Sequence, residues 1–188
     1  MTEMQRRLLD RRFREAAGQQ PDLEMLRGLL LGLGGTHLVA PPGPDAALPV
    51  LIDGGFVMAG PVVPRTMREG RCHRNVAEIW TEERHELVGI GTGYSLSDDG
   101  LWRQHSWGLR REGILETTVP RVKYFGVLLQ HADADSFAMA NLASACMSCA
   151  SVGGKTKGSR RSRPLCSATS LPQTSLAQRS DRKVLPRR

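Results

Sequence analysis

Residues 86–129 read ELVGIGTGYSLSDDGLWRQHSWGLRREGILETTVPRVKYFGVLL, and the punctuation of this stretch decides the fold. Glu86–Leu96 has the composition of a strand, and Ser97-Asp98-Asp99-Gly100 is a turn, because Asx and Gly residues supply the backbone reversal. Trp102–Leu109 reads as a second strand, closed by a second turn at Arg110-Arg111-Glu112-Gly113. Ile114–Val119 and Arg121–Leu129 read as two more, separated at Pro120. Strands joined by short turns form an antiparallel meander. Aromatic residues are only 5% of the chain, yet all three tryptophans (Trp80, Trp102, Trp107) and both tyrosines (Tyr94, Tyr124) lie between positions 80 and 124. That clustering marks the packed core.

Working outward, a helix is expected from about Cys72 to Glu83, with Val76, Ile79 and Trp80 on one face. Before it, Val50–Val57 reads as a short strand interrupted by Gly54-Gly55, Gly60–Pro64 as irregular, and residues 41–49 as a loop or linker rich in proline. Residues 2–17 read as an amphipathic helix with Met4, Leu8, Leu9, Phe13 and Ala17 near helical spacing, broken at Gln19-Gln20-Pro21. Pro21-Asp22 suits the first turn of a second helix, whose apolar stripe is Leu23, Leu26, Leu29, Leu30 and Leu33 and which ends at Gly34-Gly35. Both helices are expected to pack against the domain. The class is therefore α+β, helices packed on an antiparallel sheet. The chain divides into a helical segment (1–35), an α+β core (36–142) and a low-complexity basic tail (143–188) that is expected to be disordered.

The formal charge of +7 over 188 residues is a property of that tail. Residues 151–188 hold ten Lys or Arg and one acid, Asp181, a formal +9, so residues 1–150 carry −2. A basic tail offers electrostatic contact with nucleic acid or an acidic surface, but it lacks the interleaved aromatics that stack on bases, and a solvated tail is the plainer reading. Four cysteines (Cys72, Cys146, Cys149, Cys166) are too few for a disulfide scaffold and are read as reduced. Cys146-x-x-Cys149 with Cys166 and His131 lacks the second tight pair of a structural zinc site, so no metal and no cofactor are expected. The N-terminus carries charges throughout and Leu29–Leu33 is too short to span a bilayer, so a cytoplasmic protein without a membrane anchor is expected.

Gly70-Arg71-Cys72-His73 sets a cysteine at the start of a helix. The free N–H groups and partial positive charge of a helix N-terminus stabilise a thiolate and lower its pKa, which a nucleophile needs. A buried structural thiol is the plain alternative. His105 lies mid-strand, on the face of Trp107 and opposite Ser106. Glu116 stands in an apolar strand, Ile114-Leu115-Glu116, where a carboxylate is costly unless paired. An even-length turn near Arg110–Gly113 puts His105 and Glu116 on one sheet face; a three-residue loop would part them. Thiol, imidazole and carboxylate then have defined roles. Cys72 attacks, His105 takes and returns the proton, and Glu116 orients the imidazole. Trp107, read either as groove lining or as core, and Asn75, one turn after Cys72, are the candidate substrate-binding residues. His73 is read as pointing away from the site, and Gln104, on the face opposite His105, as a poor oxyanion donor.

In this order the motifs resemble the transglutaminase-like branch of the papain-like thiol enzymes. The resemblance spans roughly residues 68–129 and rests on Gly70-Arg71-Cys72, Gly93-Tyr94, His105-Ser106-Trp107 and Glu116-Thr117-Thr118. That group typically has a cysteine at a helix start after glycine, a strand ending Gly-Tyr, a His-Ala-Trp-like triplet, and an aspartate on the next strand. Glu116 departs from the usual aspartate by one methylene. The resemblance implies a papain-like core and acyl transfer at a peptide or other amide through a thioester on Cys72, with hydrolysis favoured because water is always available.

Overall fold

A computed structural model describes residues 1–149, with side chains through Ala143. The readings that fall on the basic tail, on Cys166 and on the side chains of Cys146 and Cys149 lie outside the described residues.

The first helix, α1 (Glu3–Gln19), starts where Thr2 accepts from the Gln5 N–H while Gln5 Oε1 accepts from the Thr2 N–H, a reciprocal cap on two otherwise orphaned donors. Only Phe13 of its stripe is buried; Met4 is 79% exposed and Leu8 is also exposed, so the expected packing of the whole stripe is corrected to its C-terminal half. The next helix, α2 (Asp22–Gly32), buries Leu23, Leu26 and Leu30 and leaves Leu29 in solvent. A short strand, β1 (His37–Leu38), follows. Leu48–Gly54 forms a helix, α3, where a broken strand was expected: Pro49 at its start presets a helical φ, and Leu48 and Leu51 fall on one buried face. Then come β2 (Phe56–Met58) and β3 (Val62–Pro64), the latter in a stretch expected to be irregular. The remaining elements are α4 (Cys72–Glu82), a single 3-10 turn at Arg84–Glu86, β4 (Gly89–Leu96), β5 (Leu101–Arg110), β6 (Gly113–Glu116), β7 (Lys123–Leu129) and α5 (His131–Cys149). The last helix crosses position 142, where the apolar pattern was expected to decay.

The strands form one sheet in the order β2-β7-β4-β5-β6-β3, with β1 also on β5. The meander β4-β5-β6 and the β4·β7 and β2·β7 pairs are antiparallel, whereas β3 joins β6 and β1 joins β5 in parallel. The sheet is therefore mixed, and the expectation of a purely antiparallel one is corrected; the two parallel partners are short segments that precede α4, which no local turn signal announces. The class is α+β. Among the described residues, no helix is long and apolar enough to cross a membrane.

Three buried clusters hold the fold together. Phe13, Leu26, Leu30 and Leu51 from α1–α3 pack on Tyr94 and Trp102. Val76, Ile79 and Trp80 of α4 pack with Ala134 and Ala138 of α5 on Ile90 and Leu115. Met58, Trp107, Ile114 and Tyr124 form the third. Glycine on β4 makes room for that last cluster: a Cβ at Gly91, the register partner of Trp107, would stand 2.1 Å from Trp107 Nε1.

One feature of the topology positions the site. The edge of β5 away from β4 takes β1 at Leu101–Trp102 and β6 at Gly108–Arg110. Between them the edge of residues 103–107 has no strand beside it among the described residues. The first turn of α4 fills this gap.

Candidate active site

Gly70 holds φ +67°, a left-handed conformation that a side chain resists, and it turns the chain into α4 so that Cys72 is the first helical residue. Asn75 braces the approach: its Nδ2 donates to the Arg68 carbonyl at 2.8 Å. Asn75 is fully buried, as is Trp107, whose ring packs on Tyr124 with centroids 5.0 Å apart. The structure thus puts both side chains assigned to substrate binding in the packing around the site, out of reach of solvent.

β5 carries His105 to the same place. The β5·β6 hairpin pairs Arg110 with Gly113 across a two-residue loop, Arg111-Glu112, so the turn is even. That register puts Glu116 diagonally across from His105 on one face, and His105 Nε2 lies 2.8 Å from Glu116 Oε2. Both are buried, at 2% and 0% exposure. The carboxylate is fully partnered. Tyr124 donates its hydroxyl to Oε2 at 3.0 Å, and Oε1 accepts from the Thr118 N–H at 2.8 Å and the Thr118 hydroxyl at 2.9 Å. Such satisfaction is what makes a buried charge tolerable.

With Nε2 committed to Glu116, the other ring nitrogen of His105 is left for Cys72, and each of the two groups favours the charged form of the other. Cys72 is half-buried, and the backbone N–H groups of Ser106 and His73 favour its thiolate. Register explains the first of these. Trp102 O accepts from Val39 on the β1 side, so the even residues of β5 direct their backbone groups to that edge, and Ser106 is one of them.

The electrostatics follow from these contacts. Burial pushes the Cys72 thiol up, but the hydrogen bond and charge of His105 and the two N–H donors more than offset it, and the thiol lies below its ordinary value. Burial pulls His105 down, but Cys72 and Glu116 lift it above the ordinary imidazole value. Burial raises Glu116, and His105 and Thr118 hold it net below the usual carboxylate range. The three shifts share a direction: they favour a thiolate–imidazolium pair oriented by a carboxylate.

Two residues differ from their reading in sequence. His73, expected to point away, has Nδ1 2.7 Å from Ser106 Oγ and meets the Phe137 ring edge-on. Helical rotation separates it from Cys72, but the gap in the sheet edge is wide enough for both residues to reach β5, and no sequence signal marks that gap. Asp45 lies within the proline-rich stretch of residues 41–49, where no sequence signal marks it. It is a buried carboxylate that accepts from Tyr94 Oη at 3.0 Å and Gln104 Nε2 at 3.1 Å, on the face opposite His105. Among the described residues, no cluster of three or more His, Cys, Asp or Glu side chains is gathered to hold a metal.

Comparison of the chain with protein-family models, with curated proteins and with solved structures finds no match.

Proposed function

We propose that this chain is a thiol acyl-transfer enzyme with a transglutaminase-like, papain-like core, acting on a peptide or other amide with Cys72, His105 and Glu116 as its triad. The observation that carries the reading is the buried His105, held by Glu116 Oε2 2.8 Å from Nε2, with its other ring nitrogen left for the Cys72 thiol at the start of α4, where each favours the charged form of the other. A structural cysteine has no need of a buried, carboxylate-held imidazole beside it.

The thiolate attacks the amide carbon, forming the S–C bond. The Cys72 N–H, at the positive end of α4, is the natural donor to the developing oxyanion. His105 gives its proton to the leaving nitrogen, the C–N bond breaks, and an amine departs from a Cys72 thioester. Neutral His105 then takes a proton from water, hydroxide adds to the thioester, and the C–S bond breaks to release the acid and the thiolate. Glu116 stays ionised throughout and fixes the ring. A reduced, cytoplasmic setting suits a nucleophile of this kind.

The test is alkylation of the full-length protein by iodoacetamide across pH, followed on the Cys72 peptide by mass spectrometry, together with p-nitrophenyl acetate as an acyl donor. A thiolate reactive well below about pH 8.5, abolished in His105→Ala, and an acetyl adduct on Cys72 support the reading. An unreactive thiol with an unperturbed profile, and no adduct, would refute it.

A further inference from the structure

α4 meets β5 through a second set of polar contacts that the triad does not use. His73 Nδ1 and Ser106 Oγ lie 2.7 Å apart, and Ser106 Oγ lies 2.8 Å from Thr92 Oγ1 on β4. Thr92 and Ser106 are direct register partners, so this pair sits on a fixed rung of the sheet. His73 and Ser106 are also the two residues whose backbone N–H groups favour the Cys72 thiolate, and strand register turns the Ser106 N–H to the edge that α4 covers. One side-chain bond thus joins the two backbone donors of the nucleophile, one on the helix and one on the strand edge.

We propose that His73 and Ser106 are positioning residues that lock the first turn of α4 onto the open edge of β5, with Thr92 as the anchor, and so hold the strand's Ser106 N–H against the Cys72 thiolate. This rests on the reading of Cys72 and His105 as a working pair. The geometry demands such a lock. Arg71 at the N-cap of α4 supplies no side-chain cap, and the Asn75 bond to the Arg68 carbonyl ties the helix start to its own preceding loop and not to β5. Among the described residues, the β5 edge there has no neighbouring strand to fix it either. A hydrogen bond to a thiolate loses strength steeply with misalignment, so a small swing of α4 against β5 would cost the donor that the strand supplies, the Ser106 N–H. His73 suits the task in its neutral form: burial and the nearby His105 lower its pKa, Asp45 opposing, and a neutral ring adds no charge to compete with His105 for the thiolate.

The test compares His73→Ala, Ser106→Ala and Thr92→Val with the conservative His73→Asn, whose amide can occupy the place of Nδ1. The measurement is the pH profile of iodoacetamide alkylation on the Cys72 peptide of the full-length protein, with thermal unfolding run in parallel. We expect the two alanine variants to move the thiolate limb up by about one pH unit, which is about a tenfold loss of Cys72 reactivity on that limb. Thr92→Val should have a smaller effect in the same direction, and His73→Asn should restore most of the reactivity. A merely structural role would lower the melting temperature and leave the limb where it was, and that result, or one in which His73→Asn is as impaired as His73→Ala, overturns the proposal. His105→Ala separates the two readings. If it alone abolishes the low-pH reactivity while the others match the unmodified chain, the positioning proposal fails and the Cys72–His105 pair stands. If the unmodified chain has an ordinary thiol, both fail.

Discussion

His105 and Glu116 sit diagonally across the β5·β6 hairpin with Nε2 and Oε2 2.8 Å apart, buried on the face they share with Trp107 and Tyr124. The bond is intramolecular across a two-residue loop, so little chain entropy is spent in bringing the pair together. Most of the cost lies in dehydrating the carboxylate, and four donors offset it.

Glu116→Ala leaves His105, Tyr124 and Thr118 without their acceptor. We expect a loss of about 3–5 kcal/mol in urea unfolding, the usual cost of removing one partner of a buried pair. Glu116→Gln preserves the shape and one acceptor oxygen and should unfold closer to the unmodified chain, but its neutral amide does not hold an imidazolium. Its acyl-transfer rate should fall about a hundredfold or more. Equal rates for Glu116→Gln and the unmodified chain would remove the carboxylate from the mechanism.

The pair also sets a stability window in pH. Glu116 is depressed in the folded chain, so its contribution is complete above the ordinary 4.5 and is lost as pH falls through its lowered value. His105 is raised, so its contribution is complete below the ordinary 6.5 and is lost as pH rises through its elevated value. The stability difference between the unmodified chain and Glu116→Gln should therefore be largest between pH 4.5 and 6.5 and shrink on both sides. Denaturant titrations at stepped pH measure it; a difference flat from pH 3 to 9, or one that grows toward acid, would contradict the assigned shifts.

Tyr124→Phe removes one donor to Oε2 while keeping the ring against Trp107. We expect about 1 kcal/mol of destabilisation and a rise in the Glu116 pKa, read from the acid limb of unfolding. Thr118→Val should act similarly through Oε1, since only the hydroxyl bond is lost and the backbone bond stays. No change in the acid limb for either variant would mean that these donors do not tune the carboxylate.

Gly91→Ala tests the packing that backs the site. The added methyl would meet the Trp107 indole at 2.1 Å, and the ring stacks on His105 with centroids 6.1 Å apart. Overpacking should cost about 1–3 kcal/mol, shift the tryptophan emission, and lower Cys72 reactivity by displacing His105. A stable, fully reactive Gly91→Ala chain would show that the ring has room to move without disturbing the histidine.

Much of this was legible along the chain because it depends on local rules. The turns at Ser97–Gly100 and Arg110–Gly113 fix the β4-β5-β6 meander, and strand alternation alone puts His105 with Trp107 and Gln104 opposite them. An apolar strand that spends a position on Glu116 announces a buried partner, but that His105 is the partner hangs on the turn length, which the strand register makes two residues. A glycine before Cys72 announces a helix start.

The rest was settled by contacts between segments distant in sequence. Leu48–Gly54 became a helix and Val62–Pro64 a strand because their apolar residues found partners on α2 and β6, against weak local preference. Whether Trp107 and Asn75 face substrate or core depends on what packs over them, and single-strand or single-helix periodicity carries no information about that covering layer. The open edge of β5, which lets the start of α4 bring Cys72 and His73 onto His105 and Ser106, arises only because β1 and β6 stop short of each other. A gap is a property of two strands' endpoints in space, and so the sequence determined the chemistry available to this protein while the tertiary structure alone decided where that chemistry meets.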